Sequence, residues 1–345
     1  MPIMGEIQLL PDSRHELVPG MEICRVLNGM WQVSGAHGVI NPEKAVAAMS
    51  RYVEAGFTTW DLADHYGPAE EFIGQFRRQW RRTHDEASLS TVQAFTKWVP
   101  MPGDMSRAVV EESIEHSLRR MDVVALDLLQ FHWWDYDDLR YLDALARLAD
   151  LREAETIRHL GLTNFDTQHL ETILRKGIPI VSNQVQYSLI DRRPEVRMAP
   201  FCREHGVQLL TYGTVCGGLL SETYLNRPEP NSGALNTASL RKYKQMVDAW
   251  GDWELFQALL MTLKRVADRH GVSIANVAVR YILDKPAVAG VIVGVRLGVR
   301  DHVEDTARVF SLRLDSHDLE AIERVLAKAN DLFASMGDCG DEYRR

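Results

Sequence analysis

Asp61, Tyr66, Lys97 and His132 are the residue types that a proton-transfer site requires. Each lies at or just beyond the end of an apolar, strand-like run. Asp61 lies in Trp60-Asp61-Leu62-Ala63-Asp64-His65-Tyr66-Gly67, an apolar run passing into a turn. Lys97 ends Val92–Thr96, His132 ends Leu126–Phe131, and Asn164 ends His159–Thr163. From Asp61 to Lys97, His132 and Asn164 the steps are 36, 35 and 32 residues. That is about the length of a strand, a crossover helix and their loops. Parallel strands joined in this way carry all their ends to one face, so the spacing predicts that these residues meet.

Together they could manage a proton. A lysine buried beside an aspartate is expected to stay charged, with opposite charge outweighing desolvation. A tyrosine near that lysine would become more acidic. At about 4 Å and an effective dielectric near 20, the attraction is roughly 4 kcal/mol, about a thousandfold in acidity before burial subtracts from it. A phenol brought from about 10 toward neutrality is a usable general acid. A neutral histidine beside it can hydrogen-bond the same carbonyl oxygen. The set can protonate an alkoxide as it forms. It contains neither a nucleophile with its base nor a metal-ligand set, so no metal is expected. The electron pair must come from a cofactor, and a nicotinamide hydride is the economical source.

The elements that would position these residues alternate regularly. Met1 to Gly20 reads as a short hairpin or extended lead-in, and Cys24 to Val33 as the first barrel strand. Further strands follow at Phe57–Leu62, Ser90–Lys97, Leu126–Phe131, His159–Thr163, Ile180–Gln186, Gln208–Tyr212 and Ala289–Val293. Helical patterns separate them. Asn41-Pro42 caps the first helix, and Asp166 with Gly177 brackets a later one. Gly217 to Gly251, rich in Gly, Asn, Pro and Ser, reads as a long functional loop after strand seven. Extra helices follow it, and 330–345 reads as a polar C-terminal tail or loop, with disorder the default near a chain end and an ordered loop left open. Eight strands alternating with helices, and no GxGxxG after an early strand, predict one (β/α)8 TIM barrel rather than a doubly wound sheet. The prediction is a single domain over 1–345 with its core at about 22–327.

The same residues resemble the aldo-keto reductase family over about Val26 to Leu326. Asp61 with Tyr66, Lys97 in Phe95-Thr96-Lys97-Trp98, and His132 after Leu128-Leu129-Gln130-Phe131 match the family's catalytic tetrad in order and strand position. The resemblance implies Tyr66 as general acid/base, Lys97 and Asp61 tuning it, and His132 orienting the carbonyl. Thr163, Asn164 and Gln184 match the residues that hold the nicotinamide carboxamide, and Tyr212 the aromatic that stacks on its ring. Gly29 and Met30 match the first-strand turn beside the cofactor. Gly213 and Thr214 stand where the family usually has Ser-Pro, and Gly217 and Leu219 fall in the loop over the pyrophosphate. Gly294, Arg296 and Arg300 resemble the segment gripping the adenosine 2′-phosphate, with His302 and Asp305 near the remaining adenosine contacts. The implied cofactor is therefore NADP(H) and the implied reaction is reduction of an aldehyde or ketone. A second implied possibility is an NADPH-binding sensor or regulatory subunit with little turnover.

Trp31, Trp98, Trp133 and Trp134 follow strands one, three and four, and His65 adjoins Tyr66. They read either as rim packing or as a wall around a carbonyl or sugar-like substrate. The substrate residues expected are Trp31, His65, Trp98 and Trp133. At 345 residues and 46% hydrophobic the chain reads as globular, and a net charge of −9 argues against nucleic acid or anionic membrane as partners. Cys24, Cys202, Cys216 and Cys339 form no CxxC pair, which suits a reducing compartment. The expectation is a cytoplasmic protein, a monomer rather than an oligomer, acting on a small molecule.

Overall fold

In the computed structural model, which describes residues 9–344, eight parallel strands close into a barrel. A hairpin precedes it: β1 (Arg14–Val18) pairs antiparallel with β2 (Met21–Cys24). The barrel strands are β3 (Val26–Gly29), β4 (Thr59–Asp61), β5 (Gln93–Trp98), β6 (Leu128–Phe131), β7 (Leu160–Thr163), β8 (Ile180–Gln186), β9 (Gln208–Tyr212) and β10 (Val288–Gly294). β10 closes the ring on β3. The helices are α1 (Pro42–Glu54), α2 (Ala69–Trp80), α3 (Glu86–Ser90), α4 (Arg107–Met121), α5 (Arg140–Glu153), α6 (Thr167–Arg175) and α7 (Met198–His205). After β9 come α8 (Ala238–Trp250), α9 (Trp253–His270) and α10 (Ile274–Leu283). After β10 come α11 (Val303–Ala307), α12 (Ser316–Leu326) and α13 (Leu332–Met336).

Barrel strands are buried on both faces, one toward the interior and one toward the helices, so they read as continuous apolar runs. β3, β4, β6 and β7 are buried at every position. Between sheet and helices lies the main core, with Phe57, Trp60, Phe131, Phe165 and Phe256 fully buried. A smaller cluster fills the lower barrel, where Leu17, Met21 and Ile23 of the hairpin pack against Leu27, Phe95, Leu128 and Leu210. Polar caps start the helices on cue. Asn41 accepts from Lys44 N ahead of α1, and Asp166 from His169 N ahead of α6.

Three local expectations change. The first barrel strand is short, and Trp31–Val33 form a 3-10 turn instead of extending it. The stretch 217–251 is not all loop, because α8 occupies Ala238–Trp250. Thr237 caps that helix by accepting from Leu240 N, and Tyr243, Met246, Val247 and Trp250 bury one face. The tail is not irregular, because α13 and a turn at Asp341–Tyr343 occupy it.

Candidate active site

The parallel register brings the strand ends level. Gly29 pairs with Asp61 and with Gly294, Lys97 with Gln130, Thr163 with Gln184, and Gln186 with Tyr212. These ends open into one cavity of about 400 Å³ at the C-terminal face of the barrel. Asp61, Tyr66, Lys97 and His132 all line it.

Lys97 Nζ lies 2.8 and 2.7 Å from the two Asp61 oxygens and 2.7 Å from the carbonyl of Leu62. It also stands 4.9 Å from the centroid of the Tyr66 ring. The pair is almost fully buried, at 3% and 4% side-chain exposure. Asp61 Oδ1 accepts two further bonds, from Gln184 Nε2 at 2.7 Å and Gln130 Nε2 at 3.2 Å. Gln184 Nε2 also reaches Gln130 Oε1 at 2.7 Å. The amide nitrogen of Gln184 therefore faces the carboxylate. Gln130 was not singled out in the sequence, although it stands two residues before His132, at the spacing that returns to the same face of a strand.

The electrostatics depart from the sequence expectation. Burial holds the Lys97 ammonium below its usual 10.5, and Asp61 pulls the other way without prevailing. Burial likewise raises Tyr66 well above 10, with Asp61, Tyr343 and Asp64 adding to the effect. The expected acidification is absent for a physical reason. Both Asp61 oxygens already engage Lys97, so its pull on the phenol is weakened and desolvation decides.

His132 Nδ1 lies 3.0 Å from the carbonyl oxygen of Thr163, which can only accept, so the ring proton is on Nδ1. Nε2 is buried without a protein partner. Burial pushes the imidazole down to about 4, so it is neutral near pH 7.

Around this centre, Trp31 meets Tyr66 edge-on at 5.0 Å between centroids, and His65 meets it at 4.9 Å. Both line the cavity. Trp98 and Trp133 do not. They are 5% and 0% exposed and pack on Phe131 in the core. Trp134 lines the cavity instead, 4.4 Å from His132 in a T-shaped contact. Just beyond the end of β6, the two adjacent tryptophans thus face different surroundings, Trp134 the cavity and Trp133 the core.

Gly29, Thr163, Asn164, Gln184, Tyr212, Gly213, Thr214, Gly217 and Gly294 also line the cavity, whereas Met30 and Leu219 are buried behind it. Gly213 and Gly217 have φ of +76° and +63°, and a Cβ on Gly213 would enter the Tyr243 ring. A Cβ on Gly294 would occupy the place of the Gln32 amide. Arg296, Arg300, His302 and Asp305 lie outside the cavity lining. The two arginines are exposed, and among the described residues neither forms an ion pair. Arg296 donates to His37 O at 3.1 Å, while Asp305 accepts from Ser273 Oγ at 3.0 Å and Asn276 Nδ2 at 3.2 Å. His302 is held below its usual 6.5 by burial.

Two elements supply lining residues that sequence reasoning missed. Helix α8 contributes Ser239, Lys242 and Tyr243, and the tail contributes Tyr343. Ser239 Oγ lies 2.8 Å from His37 Nε2, joining α8 to the loop after β3. The tail is tied down by Arg193, which pairs with Asp191 at 2.8 Å and Glu342 at 2.9 Å. Arg344 donates to Tyr136 Oη at 2.7 Å and to the carbonyl of Asn164. Among the described residues one carboxylate–imidazole group has metal-ligand spacing, Asp315, His317 and Asp318. It lies at the start of α12, where Arg269 already pairs with both carboxylates.

The family model described as "Aldo/keto reductase family" matches residues 25–327. Among similar proteins, the aldo-keto reductase YhdN of Bacillus subtilis is 26% identical over 312 residues, covering 89% of this chain and 91% of its own. The solved glycerol dehydrogenase AKR11B4 from Gluconobacter oxydans superposes with a TM-score of 0.77 at 24% identity, covering 92% of this chain and 96% of its own. An aldo/keto reductase from Klebsiella pneumoniae, solved in complex with NADP and acetate, gives a TM-score of 0.69 at 20% identity, covering 91% and 95%.

Proposed function

The chain belongs to the aldo/keto reductase family, and from that premise we propose that it is an NADP(H)-dependent oxidoreductase reducing aldehyde or ketone carbonyls to alcohols, with Tyr66 as proton donor. One observation carries the reading. A buried, neutralised Lys97–Asp61 pair, the Tyr66 ring and an unpartnered His132 nitrogen meet in a single cavity.

The cavity walls suit a nicotinamide dinucleotide. Buried polar atoms without a protein partner, Gln32 Oε1 and His37 Nδ1, stand by the groove, and the glycines at 213, 217 and 294 let Tyr243, Ser239 and Gln32 pack directly on the backbone of its wall. Thr163, Asn164, Gln184 and Tyr212 would hold the nicotinamide end. Arg296 and Arg300, exposed beyond the cavity, would meet the adenosine phosphate. That the Klebsiella relative was solved with NADP supports this choice. When bound in reduced form, the cofactor supplies a hydride to the carbonyl carbon.

The residues of the chain then handle oxygen and proton. With its pKa above 10, Tyr66 stays protonated and can donate a hydrogen bond to the carbonyl oxygen. An alkoxide forming there takes the proton from the phenol. Lys97 stands beneath the ring and stabilises the tyrosinate left behind. His132, protonated on Nδ1, offers only a lone pair at Nε2. It accepts a hydrogen bond from a hydroxyl, such as that of the alcohol product, instead of donating one to the carbonyl. Trp31, His65 and Trp134 wall the substrate side. The four cysteines are buried thiols, which fits a reducing compartment such as the cytoplasm.

The test is initial-rate oxidation of NADPH, with NADH alongside, against a panel from nitrobenzaldehyde to aldoses and ketones. The expected result is turnover with NADPH that Tyr66→Phe abolishes while nucleotide affinity is nearly unchanged. Tight NADPH binding without turnover of any carbonyl would replace this reading with a sensor or regulatory role, and retained turnover in Tyr66→Phe would remove Tyr66 from the chemistry.

A further inference from the structure

Tyr66 is carried by a tight turn between β4 and α2, and that turn is held from outside the cavity. Within it, Tyr66 N donates to Ala63 O at 3.1 Å, and Gly67 takes a φ of +55°. The outside partner is Arg120, in the last turn of α4, with 15% of its side chain exposed. Its Nη1 donates to the carbonyl of Asp64 at 3.0 Å, and its Nη2 to the carbonyl of Gly67 at 2.7 Å. Those two carbonyls bracket His65 and Tyr66. Two further bonds of 2.7 Å run from Nε and Nη2 to the Glu71 carboxylate.

The same guanidinium reaches the strand that carries the lysine. Nη1 lies 3.1 Å from Glu70 Oε2, and Glu70 is 0% exposed. The other Glu70 oxygen accepts from Thr96 Oγ1, one residue before Lys97. The mounting is also stiff, because α2 and α4 touch at Gly74. A Cβ there would collide with the carbonyl oxygen of Arg120. A planar fork of five donors can serve two carbonyls and two carboxylates at once, and an ammonium cannot reproduce that geometry.

We propose that Arg120 is a positioning residue for proton transfer: it clamps the turn bearing Tyr66 and, through Glu70 and Thr96, ties it to the strand bearing Lys97. It touches neither the cavity nor the Tyr66 side chain. This rests on Tyr66 being the proton donor.

The experiment compares wild type, Tyr66→Phe, Arg120→Lys and Arg120→Met in one assay of NADPH-dependent carbonyl reduction. Nucleotide affinity is read by fluorescence quenching. Amide hydrogen exchange is followed across 63–68. Arg120→Met strands the buried Glu70 charge and can fail to fold, so Arg120→Met/Glu70→Gln accompanies it, freeing both carbonyls without that charge. Expected are a kcat at least tenfold lower in all folded Arg120 variants, nucleotide affinity within twofold of wild type, and faster exchange at 63–68. In Arg120→Ala, added guanidinium ion restores part of kcat, whereas added ammonium does not. Wild-type kcat in the double variant, or a fall in kcat matched by an equal loss of nucleotide affinity, overturns the proposal. Inactive Tyr66→Phe beside fully active Arg120 variants refutes the clamp alone. Active Tyr66→Phe refutes the underlying assignment instead.

Discussion

The hydroxyl of Tyr343 lies 2.9 Å from the hydroxyl of Tyr212. The direction of that bond follows from its neighbours. Tyr212 donates to Asn164 Oδ1 at 2.8 Å, and the ammonium of Lys242 can only donate to Tyr343. A hydrogen-bonded chain thus runs from Lys242 through Tyr343 and Tyr212 to Asn164 Oδ1.

Tyr343→Phe removes one link of this chain while keeping the ring. A neutral hydrogen bond contributes about 1 kcal/mol, so NADPH affinity should weaken about fivefold with kcat little changed. Titration of nucleotide fluorescence measures it. Unaltered affinity would mean that the orientation of Asn164 does not depend on the tail.

The pH dependence should differ between directions. In the proposed mechanism reduction needs protonated Tyr66, and burial raises its pKa well above 10, so the rate should stay flat through neutrality and fall only on the alkaline side. In the same mechanism oxidation of the alcohol needs the phenolate, so it should rise with pH over that alkaline range. His132, pushed down to about 4, contributes no limb between roughly pH 5 and 8. A reduction profile that bends near 6.5 would show the imidazole titrating at its ordinary value.

Lys97→Met leaves the Asp61 carboxylate buried with only the two glutamine amides. Stranding one partner of a buried pair costs about 3–5 kcal/mol, which denaturant titration would register. Asp61→Asn/Lys97→Met removes the stranded charge and should recover most of that stability while staying inactive. A double variant as unstable as the single one would contradict this account.

Trp133 and Trp134 are adjacent, yet their alanine variants should fail differently. Trp133 is 0% exposed, and its removal should cost about 3–5 kcal/mol of stability. Trp134→Ala should leave the thermal midpoint nearly unchanged and raise KM for bulky carbonyls. Thermal melts and steady-state kinetics on both variants separate the two roles.

How much of this was readable in the sequence depends on the range of the forces involved. The recurrence of Asp61, Lys97, His132 and Asn164 follows the repeat of strand and helix, so the barrel and the meeting of these side chains in one cavity were legible together. Helix α8 was half legible, since Tyr243, Met246, Val247 and Trp250 carry a helical period, but the Gly- and Pro-rich run before them dominated the reading. The tail was not legible. Its partners, Arg193, Asn164 and Tyr136, lie far off in the chain, and no local pattern announces them. The pKa of Tyr66 was misread for a related reason: the sequence shows the neighbours Lys97 and Asp61, but not that both carboxylate oxygens are spent on the ammonium.

The hairpin of β1 and β2 has a consequence for redesign. By seating Leu17, Met21 and Ile23 against Leu27, Phe95, Leu128 and Leu210, it stoppers the barrel at the end opposite the chemistry. Mutagenic libraries aimed at new substrates therefore have a natural boundary. Diversity at Trp31, His65, Trp134, Lys242 and Tyr343 should alter the cavity wall, whereas diversity in the stopper should alter stability.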